Sequence, residues 1–343
     1  MSQAAPRNDD RNPILVELTR GKIVESFHRG AVAVSDAAGK IHFQLGDIER
    51  PVYPRSAFKM MQALPLIETG AADAFKVSPK ELSMACASHS SEPFHVKTVA
   101  GWLKRLGCGE GDLACGPHLP MSEAAARIMQ RGRKEPTRLH NNCSGKHSGF
   151  LCTACYMGEP VAGYVEIDHP VQVRVRQAIA ELCDVDGETM PWGIDGCAAP
   201  NFALPLKNLA LGFARLADPS GLASNRAEAA HRLVKAVREN PLYESGTGRS
   251  DVALIEATTG GTVTKIGAEG VYSASIPSLG LGVALKIDDG TGRAAETAIA
   301  AVLARLGVLD AKTDAARPLL VAPITNWRGD HCGERRPAES LAF

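Results

Sequence analysis

The sequence contains no apolar run approaching the ~20 residues that a membrane-spanning helix needs. Its start, MSQAAPRNDDRNP, has no apolar stretch behind a basic segment, so no secretory signal is read there. It also has no charge excess. Lys and Arg number 38 and Asp and Glu number 38, which removes the electrostatic footprint of a nucleic-acid or anionic-membrane binder. No repeat, low-complexity stretch or linker divides its 343 residues. The expectation is a soluble, cytoplasmic protein with no nucleic-acid or membrane partner. A single domain should cover residues 1–343, with 1–12 and about 324–343 mobile.

Nine cysteines cannot all pair. In a reducing compartment they read better as buried thiols, ligands or nucleophiles than as disulfides. Cys152 and Cys155 form a C-x-x-C inside GFLCTACYMG, whose apolar texture predicts a core helix rather than a redox or zinc knuckle.

Residues 13–45 read as an antiparallel meander of four β-rich runs, ILVELT, IVESFH, AVAVSD and IHFQLG, separated by turn signals. SAFKMMQALPLIETG then begins a helical middle, with helical patterns near 78–86, 94–106, 122–131, 146–157, 171–183, 200–216 and 224–239. Strand-like runs return in GTVTKIGA, VYSASI and GVALKID before a helix at 292–306. Strands at both ends flanking a helical middle predict an α+β fold, a sheet built from both termini with helices packed on it. The tail after about Pro323 reads as polar and irregular.

Four stretches carry chemistry. In YPRSAFKMMQ, Ser56 and Lys59 sit at i and i+3, so an amine can share a helix face with a hydroxyl at the helix start. The bland alternative is a capping serine with a solvated lysine. CASHSSEPFH places Ser88 among small hydroxyls and histidines just after a helix, where it could extend a proton relay. TVTKIGAEG carries Lys265-x-Gly267 on a strand, an imperfect version of the K-T-G of penicillin-recognising enzymes. Lys286 in VALKIDDG is a rival for that role.

The fourth, NNCSGKHSGF, pairs best with GIDGCAAPNFALP. Cys143 and Cys197 then stand in two turns, each at the mouth of a helix, a pattern suited to a tetrahedral cation. Either Lys146 or His147 could be the third donor. Keeping a lysine neutral near pH 7 costs about 4–5 kcal/mol. A zinc site supplying on the order of 10 kcal/mol can absorb that, so spacing leaves both open.

Together RSAFKMMQALPLIETGAAD, CASHSSEPFH, LHNNCSGKHSGFL, GIDGCAAPNFALPL and GVALKIDDG resemble the asparaginase II family, the rhizobial-type or class 3 L-asparaginases, over roughly residues 13–320. The resemblance implies a fold like serine β-lactamases and glutaminases, and hydrolysis of L-asparagine to L-aspartate and ammonia. It implies Ser56 as nucleophile with Lys59 as its base, and Ser88 with Lys265 as a second Ser-Lys pair. It also implies Cys143, Lys146 and Cys197 as ligands of Zn²⁺, and a homodimer. Arg55, His147 and Asp195 are expected to line the substrate. Two other readings stay in play: glutaminase or β-lactam hydrolysis on the same fold, and a zinc-stabilised sensor or scaffold without turnover.

Overall fold

The computed structural model describes residues 12–343. The expectation about the extreme N-terminus falls almost wholly outside them. Eight strands form one antiparallel sheet: β1 (Ile14–Arg20), β2 (Ile23–Asp36), β3 (Ile41–Leu45), β4 (Val263–Ile266), β5 (Val271–Ile276), β6 (Leu281–Ile287), β7 (Ala322–Thr325) and β8 (His331–Pro337). Their order is β7-β8-β1-β2-β6-β5-β4, with β3 also paired to β2. The sheet is therefore assembled from the two ends of the chain, as the α+β expectation required.

Two strand readings are corrected. IVESFH and AVAVSD form one 14-residue strand, because the RG between them is no turn. Gly30 lets this long strand cross close over β6. A Cβ there would lie 2.4 Å from the Lys286 carbonyl and 2.9 Å from a Leu15 methyl. The strand pairs with β1 before this point and with β6 and β3 beyond it. The tail is not irregular either. Residues 322–337 make a hairpin whose strand β8 adds to β1, so tertiary pairing overrides a polar composition.

Alternation along β2 sends Ala31 and Ala33 to one face of the sheet and Val32 and Val34 to the other. The valine face packs under α9 (Gly292–Arg305), whose alanines permit close approach. The alanine face meets the helical region. There α6 (Leu206–Ala217) lies so near β6 that a Cβ on Gly282 would come 2.1 Å from the Ala214 nitrogen. The reading of 200–216 as one helix is corrected, since residues 200–202 form a hairpin with 192–194 and residues 204–205 pair with 51–52 before α6 starts. The other long helices are α1 (Pro79–Ala85), α2 (Pro93–Arg105), α3 (Glu123–Arg131), α4 (Ser144–Met157), α5 (Pro170–Cys183), α7 (Ser224–Glu239) and α8 (Ser250–Ala257). SAFKMMQALPLIETG is not one helix but a 3₁₀ turn, Arg55–Phe58, followed by short helical turns.

Candidate active site

The 3₁₀ turn that carries Ser56 is held from below by the end of β4. Gly267 is required there, because a Cβ would lie 2.4 Å from the Pro54 carbonyl and 3.0 Å from the Ala57 nitrogen. This gives the Lys265-x-Gly267 match a structural meaning. Arg55, directly before Ser56, adopts a left-handed backbone at φ +54°, a conformation an arginine holds only under tertiary constraint. Ser56 is half-buried and lines a cavity of about 320 Å³ together with Arg55, Asn142, Cys143, Asp195 and Cys197.

Behind this wall lies Lys59, whose residue is 1% exposed. Its Nζ donates to the Ala87 carbonyl at 2.6 Å, to Ser88 Oγ at 2.9 Å and to Cys143 Sγ at 3.1 Å. None of these hydrogen bonds goes to Ser56, so the resting contact of the amine is with the second serine. Burial, opposed by Cys143 and reinforced by Lys146 and Lys265, lowers the Lys59 pKa. Ser88 is itself buried, and its N–H donates to the Glu244 carbonyl at 3.0 Å. The approach of Cys143 depends on Gly145 at the start of α4, where a Cβ would meet the Met84 carbonyl of α1 at 2.3 Å.

The expected Ser88–Lys265 pair is not what the structure brings together. Lys265 Nζ lies 2.5 Å from Glu244 Oε1 and 3.6 Å from Asp251 Oδ2, an ion pair without hydrogen-bond alignment among fully buried side chains. Burial disfavours its charge, yet Glu244 and then Asp251 outweigh that and raise its pKa. Burial likewise pushes Glu244 up to about 7 against the pull of Lys265. Asp251, in the first turn of α8, accepts from Thr264 Oγ1 and the Ile266 N–H, both at 3.1 Å. The rival Lys286 is elsewhere. Its Nζ donates to the carbonyls of Glu269 and Ile287, and it lines a different cavity, on the far side of Arg55.

Cys143 and Cys197 come together as their spacing suggested, and Lys146 Nζ donates to Cys197 Sγ at 3.2 Å. The neighbouring sulfur and burial raise the Cys143 pKa, while the Cys143 contact, with help from Lys146 and His147, lowers that of Cys197. His147 is buried behind them with Nδ1 on the Tyr164 hydroxyl at 2.6 Å, and its Nε2 has no hydrogen-bond partner. Among the described residues, no three His, Cys, Asp or Glu side chains converge as a metal site would need. The cluster becomes a three-donor set only by counting Lys146. Two sulfurs and a nitrogen beside an orphaned imidazole suit a soft tetrahedral cation.

Arg55 grips Asp195 through Nε at 3.0 Å and Nη2 at 2.8 Å. Of the three expected substrate-lining residues, these two reach the cavity and His147 lies behind it. Sequence reasoning missed Glu244, Asp251 and Asn142. Asp251 sits in the first turn of α8, where an acid is ordinary, and Glu244 lies in a stretch without motif signal, so neither stood out in the sequence.

Comparison with known proteins gives one match of family scale. The model of the L-asparaginase II family matches residues 16–337. No curated protein matches the chain. Among solved structures, a β-lactamase from Mycobacterium bovis is similar at 16% identity and a TM-score of 0.42, over 80% of this chain and 94% of that one. Mglu in its native form is similar at 14% identity and a TM-score of 0.38, over 88% and 67%. A simvastatin synthase mutant from Aspergillus terreus reaches 10% identity and 0.38, over 75% and 86%. At these TM-scores the likenesses carry nothing about site or substrate.

Proposed function

The chain belongs to the L-asparaginase II family, and from that premise we propose that it hydrolyses the side-chain amide of L-asparagine to L-aspartate and ammonia, with Ser56 as nucleophile. The observation that carries this reading is the pairing of an accessible serine with a buried amine one helical turn away. Ser56 opens to the cavity, and Lys59 has no carboxylate partner among the described residues.

A lysine so placed is neutral more easily than one in water, and a neutral amine can take the serine proton. Ser56 Oγ attacks the amide carbon, its proton passes to Lys59, and Lys59 returns it to the departing nitrogen as ammonia leaves. The β-aspartyl ester on Ser56 is then opened by water, with Lys59 again as base. Ser88 holds Lys59 in place between the two steps. Arg55 and Asp195, a charge pair at the cavity wall, offer partners to the α-carboxylate and α-ammonium of the substrate.

Cys143, Lys146 and Cys197 would hold Zn²⁺, which when bound supplies an electrophilic centre that fixes the orientation of the substrate head group. Two thiolates would offset much of a bound dication's charge, and Ser56 keeps the role of nucleophile. The reading includes a cytoplasmic homodimer. Among the described residues no helix is long and apolar enough to cross a membrane.

A second assignment of the nucleophile rests on a specific observation. The 2.9 Å contact from Lys59 reaches Ser88, not Ser56. Ser88 is 5% exposed, so it becomes the attacking group only if the cavity opens further. The deciding experiment measures ammonia release from L-asparagine and L-glutamine and hydrolysis of a chromogenic cephalosporin. Turnover of asparagine, lost in Ser56→Ala, supports the proposal. Preference for glutamine or the cephalosporin shifts the substrate class, and zinc binding without any turnover supports a scaffold.

A further inference from the structure

The cavity on the far side of Arg55 is larger, about 450 Å³, and the mechanism above makes no use of it. Its walls include Arg50, Tyr53, Arg55, Asn201, Glu269 and Lys286, so both charge signs face one space.

Most of these groups have bonding capacity left over. Asn201 is 4% exposed, yet its Oδ1 is buried without a hydrogen-bond partner. That oxygen is closed off from the chamber, so the charged side chains are what an occupant meets. Lys286 Nζ spends two of its three protons on the Glu269 and Ile287 carbonyls, leaving one. The Arg50 guanidinium has only a loose approach to Asp288, at 3.9 Å. The Glu269 carboxylate is exposed, with no ion pair among the described residues, and its backbone is held in the left-handed region at φ +59°. Two strained non-glycine residues, Arg55 and Glu269, thus flank the same chamber.

We propose that this chamber is a second binding site, separate from the Ser56 cavity, for the zwitterionic head of a free α-amino acid. The carboxylate is taken by Arg50 and the spare Lys286 proton, and the ammonium by Glu269. Arg55 is the wall common to both cavities. An occupant of the chamber therefore sits against the residue that grips Asp195 and precedes Ser56. The site stands or falls independently of the amidohydrolase reading, because it concerns binding alone.

The test is calorimetric titration of the full-length Ser56→Ala chain with L-aspartate, and separately with succinate, which has the carboxylates without the ammonium. The expected result is a binding step for L-aspartate that weakens at least tenfold in the added Arg50→Ala and Glu269→Gln variants. The same step should be at least tenfold weaker for succinate. Arg50 is partly exposed and Glu269 is exposed, so neither variant removes a buried contact of the fold. L-Aspartate binding untouched by Arg50→Ala in a folded chain, or no binding at all, overturns the site. Equal binding of succinate overturns the zwitterion assignment. Failure of asparagine turnover in the wild-type chain leaves each of these outcomes readable.

Discussion

Lys59, in the helical turn after Ser56, and Lys265, on β4, are both almost fully buried, and their surroundings drive them to opposite behaviour. Lys59 meets a carbonyl, a hydroxyl and a thiol, and burial lowers its pKa. Lys265 meets two carboxylates, and their attraction overcomes the same burial to raise its pKa. Burial alone does not decide whether an amine is a base or a fixed cation; the partner does. A base must release its proton under working conditions, which suits Lys59. A fixed cation can hold charge and shape behind the site, which suits Lys265. Its partner Glu244 also takes the Ser88 N–H through its backbone, so the ion pair braces the loop that carries Ser88.

The contrast can be broken at several points, beginning with the strongest. Ser56→Ala should lower kcat for ammonia release by about 10⁴-fold or more, as loss of a nucleophile does, with the thermal transition unchanged. Lys59→Met should lower kcat by roughly 10²–10⁴-fold with little change in KM, because it removes proton transfer and not substrate contact. Steady-state kinetics on both variants check this.

Lys265→Met should behave differently. It leaves Glu244 and Asp251 as buried charges without their cation, a loss of about 3–5 kcal/mol of stability. Chemical denaturation should show it, and kcat should fall less than in Lys59→Met. The pH dependence has a definite sign. Since the folded pKa of Lys265 is raised above 10.5, its stabilisation is fully present below that pH and fades as pH rises through the folded value. Glu244, Asp251, Arg249 and Lys59 are the charged groups that face it or feel it. The stability gap between wild type and Lys265→Met should therefore grow as pH rises through about 7, where Glu244 ionises, hold to about 10 and narrow beyond. An equal collapse of kcat in both lysine variants, with stability intact, would restore Lys265 to the chemistry.

The smallest expected effect concerns the metal. Chelation should raise KM for asparagine about tenfold, a loss of roughly 1.4 kcal/mol of binding, and leave most of kcat at saturating substrate. An unchanged KM in metal-free protein contradicts an orienting role.

Much of this site was legible in local sequence, and the failures share a cause. Ser56 and Lys59, or Cys143 and Lys146, lie within a turn of each other, so their proximity follows from helix geometry. Cys197 was placed beside Cys143 because both were read in turns at helix mouths. Cys143 does precede α4, but Cys197 stands in the turn of the 192–202 hairpin, so only the turn part of that reading holds. The Lys265 partner was misjudged because Glu244 sits in PLYESG, a stretch without periodic or motif signal, and approaches only through tertiary packing. The IVESFH–AVAVSD junction was read as a turn for a similar reason. Gly30 serves a close crossing with β6, which only the folded sheet reveals. The terminal hairpin is polar because its edge position exposes it, so composition concealed a strand.

The central claim is that the cavity-facing serine, and not the serine touching the buried amine, forms the covalent bond. The most direct measurement is to acid-quench the wild-type chain while it turns over L-asparagine, digest it, and locate a β-aspartyl ester by mass spectrometry. The account predicts the ester on the peptide containing Ser56, and its absence in Ser56→Ala. An ester on Ser88, or steady turnover by Ser56→Ala, would contradict it.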